Sequence, residues 1–142
     1  MSTRQILRAS DSAVLYQGDA GSMAELVQQA IDLGVSLAGA DLAGHDLRGL
    51  RARGAGLTGA VLTGAWLDGS DLSSAGMDGV TVTLGSMANC DLRKATLVAA
   101  SCASATFDSS DFTGANLTDI VITDATVEAV VCDEANAEIL GV

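Results

Sequence analysis

The chain has 142 residues, the length of one domain, and a formal net charge of −11 at pH 7. So acidic a chain is not expected to bind DNA or RNA directly, because phosphate backbones demand a basic surface. The first ten residues lack the apolar run of a signal peptide, and no stretch approaches 18 consecutive apolar residues. We therefore expect a soluble protein without membrane contact.

Residues 1–34 form the first of two predicted domains, and residues 35–142 form the second. Within the first, the segments 5–9 and 13–17 flank the turn-forming pair Asp11-Ser12. This arrangement predicts a short β-hairpin.

A helix is predicted directly after the hairpin. Ser22 is a favourable N-cap residue, Glu25 completes a capping box, and Gly34 supplies a C-terminal stop. The apolar residues between them share one helical face, namely Met23, Leu26, Val27, Ala30 and Ile31. Since the end of a repeat array must be covered by an atypical unit, we interpret this helix as a cap. The alternative is a helix that binds a partner.

A five-residue period dominates the rest of the chain. Every fifth residue from Leu37 to Ala137 is apolar, which fits neither the helical period of 3.6 nor the strand period of 2. Two residues before most of these sites the side chain is very small, as at Ala40, Ala60 and Ala115. Asp or Asn often lies between the two, and Gly often follows two residues after the large site. The unit therefore reads A-[DN]-L-x-G, a tandem repeat.

This unit resembles the pentapeptide-repeat family. The resemblance implies an all-β fold, a right-handed quadrilateral β-helix with one unit per side and four units per coil. About five coils are expected here, preceded by the hairpin and the capping α-helix. The physical chemistry agrees, because one large and one small inward side chain per side fill the coil and stacking continues the core.

Residues that carry catalytic or metal chemistry are scarce. The cysteines Cys90, Cys102 and Cys132 all fall on inward columns and are interpreted as buried free thiols. The only histidine, His45, also lies on an inward column and is interpreted as structural. No nucleophile elbow, zinc motif or phosphate-binding loop is present. We therefore predict no enzyme activity, no cofactor and no metal.

Charge is distributed unevenly along the chain. No Lys or Arg follows Lys94, whereas Arg48, Arg51 and Arg53 cluster in the first coil. A basic protein partner is favoured by the acidic C-terminal part. Its acids include the candidate contact residues Asp108, Asp119, Asp124, Glu128, Glu134 and Glu138.

Assigning units to sides by fours predicts two distinctive outward surfaces. The first, here called the Thr/Val side, is weakly polar and suits a lateral contact, or is simply a solvated sheet of good β-formers. Its candidate residues are Val61, Thr81, Thr83, Leu84 and Val121. The next side carries Trp66 facing outward, which is either a contact residue or packed against neighbouring side chains.

The C-terminal end shows no obvious cap or dimerising helix. Either Ile139, Leu140 and Val142 fold across the last coil, or that end meets another subunit.

Two functions are compatible with these features. The first is a non-enzymatic scaffold that binds another protein or itself. For this function the resemblance implies a bacterial or phage type, located in a bacterial cytoplasm or a virion. The alternative, implied by the family resemblance, is a DNA mimic that binds DNA gyrase or a related topoisomerase. Fold alone does not decide between them.

Overall fold

The computed structural model describes residues 2–142. An antiparallel hairpin of β1 (Ser2–Leu7) and β2 (Val14–Ala20) opens the chain, followed by helix α1 (Met23–Asp32). A second helix, α2 (Glu134–Leu140), follows the coiled region. The hairpin and α1 confirm the two predicted N-terminal elements, with strand boundaries displaced by a few residues.

The region between the helices winds into stacked coils. Isolated parallel β-bridges join residues 20 positions apart, as in Asp41–Val61, Val61–Thr81, Thr81–Ser101 and Ser101–Val121. Each bridge is held by the backbone of successive coils: the Leu62 N–H donates to Thr81 O at 2.7 Å, and the Thr81 N–H donates to Ala60 O at 3.0 Å. Twenty residues are four five-residue units, so each coil has four sides.

The sides of the coils are too short to form extended strands. Each consists of a bridge residue, a large inward residue, a two-residue turn and a small inward residue. Within residues 2–142, regular strands occur only in the hairpin and two helices are present, so the prediction of an all-β fold is confirmed only in part.

Turn chemistry explains the Asp or Asn of the repeat unit. The carboxylate of Asp71 accepts from the Ser73 N–H at 3.0 Å, and that of Asp91 accepts from the Arg93 N–H at 3.1 Å. These side chains accept from an outward-facing N–H that makes no backbone hydrogen bond to a neighbouring coil, as in an Asx turn. The second turn residue has a positive φ, for example 67° at Gly64, which glycine adopts without strain.

The core is a continuous column inside the coils. The large inward side chains, one every five residues from Leu37 to Leu117, are buried, and Phe107 and Phe112 pack edge to face with their centroids 5.4 Å apart. Burying each such side chain contributes about 1.5–3 kcal/mol. The interior is therefore filled by the chain's own side chains.

The N-terminal elements close the first coil with hydrogen bonds as well as apolar contacts. The Asp41 N–H donates to Leu7 O at 2.8 Å, which joins the hairpin to the coil edge. The side-chain amide of Gln28 on α1 accepts from the Arg51 N–H at 2.9 Å and donates to Arg51 O at 3.0 Å. One glutamine thus replaces a neighbouring strand, and the predicted cap is confirmed.

The C-terminal end differs from the sequence-based expectation. The last coil ends at Cys132, and Ala137, the final member of the five-residue series, lies in α2. Asp133 caps this helix, with its carboxylate accepting from the Asn136 N–H at 3.0 Å, and Gly141 ends it at φ 73°. The expectation that no helix follows the coils was wrong. The signals present in the sequence were this N-cap residue and the glycine eight positions later.

Helix α2 covers only part of the last coil. The buried side chain of Asn136 donates to Phe112 O and Ala115 O, both at 3.0 Å, and Leu140 is also buried. Ile139 and Val142 stay exposed. Of the three tail residues considered, only Leu140 therefore folds inward.

Candidate interaction surfaces

The Thr/Val side is formed as the unit register predicts. Val61, Thr81 and Val121 lie on one row of bridges. Leu84 is the most exposed of the candidates at 68%, whereas Val61, Thr81 and Thr83 are partly buried. Leu84 also has a φ of 61°, a left-handed conformation that is unfavourable for a branched side chain.

Trp66 lies half-exposed on the next side, under a charged neighbour. The Arg48 guanidinium lies 5.6 Å from the centroid of its ring, a cation–π contact. Arg48 also pairs with Asp46 at 2.7 Å, and this contact lowers the pKa of the Asp46 carboxyl. The indole is therefore packed on one face and exposed for 52% of its surface.

Several acids of this side accept hydrogen bonds from the backbone of the next coil. The carboxylate of Asp68 accepts from the Ala88 N–H at 3.1 Å, and that of Asp108 accepts from the Glu128 N–H at 2.9 Å. Each thus satisfies a backbone donor of the next coil.

The C-terminal end of the stack is the least covered apolar surface of the coils. Inward side chains from Leu57 to Leu117 are buried, but those of the last coil are only partly buried. They are Ile120, Ile122, Ala125, Val127, Val130 and Cys132. The end lies among exposed acids, namely Asp119, Asp124, Glu128, Glu134 and Glu138. Since Leu140 is buried within the chain, it is not the exposed contact residue that the sequence suggested.

Two backbone N–H groups at this end lack the hydrogen-bond partner that the next coil provides elsewhere in the stack. In earlier coils the inward N–H donates to the following coil, as Cys102 does to Val121 O at 2.7 Å and Phe107 to Thr126 O at 2.9 Å. No coil follows Ile122 and Val127, so within residues 2–142 their N–H groups have no such partner. The end is therefore an open sheet-like edge.

A groove on the side that follows the Trp66 side along the chain was not predicted from the sequence. Its volume is about 240 Å³, and it is lined by Arg53, Ser73, Ser74, Arg93 and Lys94. The signal that could have found it is the 20-residue coil period, which aligns positions 53, 73 and 93 in one column. Sequence analysis grouped Arg53 with its chain neighbours instead.

The three thiols occupy the predicted inward columns. Burial raises the pKa of the Cys90 thiol and of the Cys102 thiol to about 12, and Cys132 is only partly buried. Within residues 2–142, no group of three His, Cys, Asp or Glu side chains is arranged to hold a metal ion. Neither helix of this part of the chain is long and apolar enough to span a membrane.

These features are those of a repeat protein built of stacked coils. Its interior is filled by its own side chains, so the charged residues and the candidate contact residues lie on the outer surface. The family model described as pentapeptide repeats matches residues 34–73 and 86–124 in eight copies, more than half of the chain. The chain belongs to the pentapeptide-repeat family. Membership implies the right-handed quadrilateral β-helix that the repeat unit suggested.

Solved structures of the family are similar to this one. The pentapeptide-repeat protein Rfr23 of the cyanobacterium Cyanothece 51142 is 21% identical, with a TM-score of 0.64 over 66% of this chain. This chain spans 64% of Rfr23. A pentapeptide-repeat protein of the Arabidopsis thaliana thylakoid lumen is 30% identical over 75% of this chain and 77% of its own, with a TM-score of 0.41.

Full-length QnrB1, a plasmid-mediated fluoroquinolone resistance protein, is more distant. It is 18% identical over 71% of this chain and 64% of its own, and its TM-score is 0.25. Among curated proteins no sequence matches this chain. The likeness to Rfr23 supports the fold and does not extend to an activity.

Proposed function

We propose that the protein is a non-enzymatic scaffold that acts through protein–protein contacts, with the C-terminal end of the coil stack as its contact surface. The observation that carries this proposal is the change in burial along the core. Leu62 and Val82 are almost completely buried, whereas Ile122, in the same column, is partly exposed. A filled interior favours binding at the surface over catalysis in a cleft.

Strand addition is the mode of contact that suits this end. The N–H groups of Ile122 and Val127 need acceptors and lie on neighbouring sides of the coil, so a segment of another chain that turns the same corner can supply them. Its alternate side chains would cover Val127 and Val130, which are partly exposed. The partner would thereby extend the ladder that Gln28 and the hairpin close at the other end.

The acidic surroundings of this end favour a basic partner segment. The end is surrounded by carboxylates, and no Lys or Arg follows Lys94 in the chain. A segment with alternating basic and apolar residues is therefore favoured, and its binding should weaken as salt screens the attraction. Self-assembly through two such ends would bring like charges together, so it should strengthen with salt.

A binding experiment with a defined peptide tests the proposal. We expect a peptide of alternating Lys and Val to bind the 142-residue chain in fluorescence anisotropy, and a peptide of alternating Glu and Val not to bind. Val127→Asp should remove the binding, and Leu84→Ser, on the Thr/Val side, should leave it unchanged. Sedimentation velocity at low and high salt measures self-association in parallel.

The proposal fails if neither peptide binding nor self-association occurs, or if Val127→Asp alters neither of them. Circular dichroism of both variants verifies that their coils remain folded. Salt dependence separates the occupants, since a basic partner and a second copy respond to it in opposite directions.

The DNA-mimic alternative has weaker support from the charge pattern. Asp68 and Asp108 accept hydrogen bonds from the backbone of the next coil, and eight of the 18 acids lie between Asp108 and Glu138, towards one end of the stack. A duplex mimic needs negative charge along the rod. A DNA gyrase supercoiling assay that is unaffected by high micromolar protein would exclude it.

A further inference from the structure

We propose that the groove lined by Arg53, Ser73, Ser74, Arg93 and Lys94 is a binding site for a phosphate monoester group. The groove has three cationic side chains and two serines and no acid in its lining, in a protein with a net charge of −11. The Ser73 hydroxyl already donates to the Asp71 carboxylate at 2.6 Å, so the groove offers a ligand its three cations and the hydroxyl of Ser74. These are donors of the kind that a phosphate dianion requires.

The guanidinium of Arg93 is fixed in orientation. Asp91 accepts from its Nε at 2.9 Å and from its Nη2 at 2.7 Å, so one edge of the plane is occupied. The other edge keeps its N–H donors for a ligand. Asp91 thus positions Arg93 and also neutralises its charge, which leaves the other two cations to supply the net attraction.

Arg53 and Lys94 supply that attraction. Within residues 2–142, neither has a carboxylate within 4.0 Å, in contrast to Arg8, Arg48 and Arg93. The stem of Lys94 passes over Gly114, where an added Cβ would lie 3.4 Å from Lys94 Cγ. Lys94 has a φ of 61° at a turn position where several other units have glycine.

The surroundings of the groove select a compact anion. Four of the seven basic residues, Arg51, Arg53, Arg93 and Lys94, lie on this side of the stack. The same side also carries Asp71, Asp91 and Asp111, in the row of bridges beside the groove. An extended polyanion would meet the acids of the neighbouring sides and be repelled. A single phosphate group, on a small molecule or on a phosphoserine of another protein, reaches the cations alone.

NMR titration of the folded chain tests this site. At constant ionic strength, inorganic phosphate should cause saturable shifts of the amide signals of Ser73, Ser74, Arg93 and Lys94. Arg53→Gln should weaken the affinity about tenfold, as loss of a charge-assisted hydrogen bond does. Arg48→Gln, on the Trp66 side, is the matched control and should leave the affinity unchanged.

Lys94→Gly separates binding from folding. It removes the ammonium group and relieves the left-handed backbone, so we expect weaker phosphate binding in a protein that is at least as stable in thermal unfolding. A short phosphoserine peptide and its unphosphorylated form, titrated in parallel, show whether a protein-borne phosphate also fits. Binding of phosphate alone assigns the site to small molecules, and binding of both admits either source.

Shifts that do not saturate, that sodium chloride reproduces at the same ionic strength, or that Arg48→Gln reduces as much as Arg53→Gln would overturn the proposal.

Discussion

Ser110 Oγ accepts a hydrogen bond from the backbone N–H of Cys90, one coil earlier, at 2.9 Å. The same hydroxyl donates to Met87 O, so the side chain is inserted into the turn. In the neighbouring unit the backbone closes the corresponding turn directly, with the Ala95 N–H donating to Leu92 O at 3.1 Å. Ser70 makes the corresponding bond to the Leu50 N–H at 3.0 Å. Two serines at one corner thus satisfy buried backbone groups of the preceding coil.

Replacement of this hydroxyl should be costly. Ser110→Ala removes the bridge between the Cys90 N–H and Met87 O, and we expect a loss of about 1–3 kcal/mol in the free energy of unfolding. Urea denaturation measures it. The neighbouring Ser109 is exposed, so Ser109→Ala should change stability by less than about 0.5 kcal/mol. Equal effects of the two variants would contradict the assigned role.

Gly85 provides a case in which the repeat pattern and the structure give opposite expectations. Alanine predominates in this column, so the pattern favours Gly85→Ala. A Cβ at Gly85, however, would lie 2.9 Å from Val82 Cγ1 and 3.0 Å from Val82 O. We expect Gly85→Ala to destabilise the protein by about 1–3 kcal/mol in thermal unfolding, as overpacking does.

The matched control for that variant is Gly76→Ala. There the nearest atom to an added Cβ is Thr58 Oγ1 at 3.7 Å, an ordinary contact. Only Gly85→Ala should therefore lower the midpoint of unfolding, and a neutral result for it would show that the coil relaxes around the methyl group.

Replacement of Leu84 by glycine should stabilise the protein. Its φ of 61° is left-handed, and its side chain is mostly exposed, so little packing is lost on truncation. Leu84→Gly should raise the free energy of unfolding by about 1 kcal/mol. Leu84→Ala keeps the unfavourable backbone and should show no such gain. If both variants were equally stabilising, relief of backbone strain would not be the cause.

Stability should decrease at alkaline pH because of the buried thiols. The pKa of Cys90 and of Cys102 is raised to about 12 in the folded chain, from a reference value of 9.0. Below pH 9 both thiols are protonated in the folded and unfolded states, and their contribution is fully present. Above it the unfolded thiols ionise first, so stability falls up to about pH 12, by at most about 1.4 kcal/mol per pH unit for each thiol. Urea denaturation from pH 8 to pH 11 measures this slope, and Cys102→Ala should reduce it.

Thiol reactivity should distinguish the last coil from the others. Cys132 is partly buried, whereas Cys90 and Cys102 are fully enclosed. Under native conditions a thiol-reactive dye should modify Cys132, and the other two should react only after global unfolding. Mass spectrometry of the labelled peptides identifies the sites. Rapid native labelling of Cys102 would indicate that the coil stack opens locally.

The repeat and its register follow from local sequence alone. Because inward and outward positions alternate within a fixed five-residue unit, the buried column from Leu37 to Leu117 could be written down without coordinates. The cap of α1 was equally local, since Ser22 and Glu25 lie within one turn of each other. Both depend on neighbours in the chain, which is why a one-dimensional pattern predicts them.

How the C-terminal end is closed, and which residues meet on the outward faces, depends on the way the coils pack against one another. Ala137 continues the five-residue series, yet the Asp133 cap and the hydrogen bonds of Asn136 to the preceding coil place it in a helix. Likewise, Arg53 and Arg93 are 40 positions apart in the chain and meet in one groove because each coil takes 20 residues. Contacts between coils depend on how the coils stack, and the composition of a single unit does not encode them.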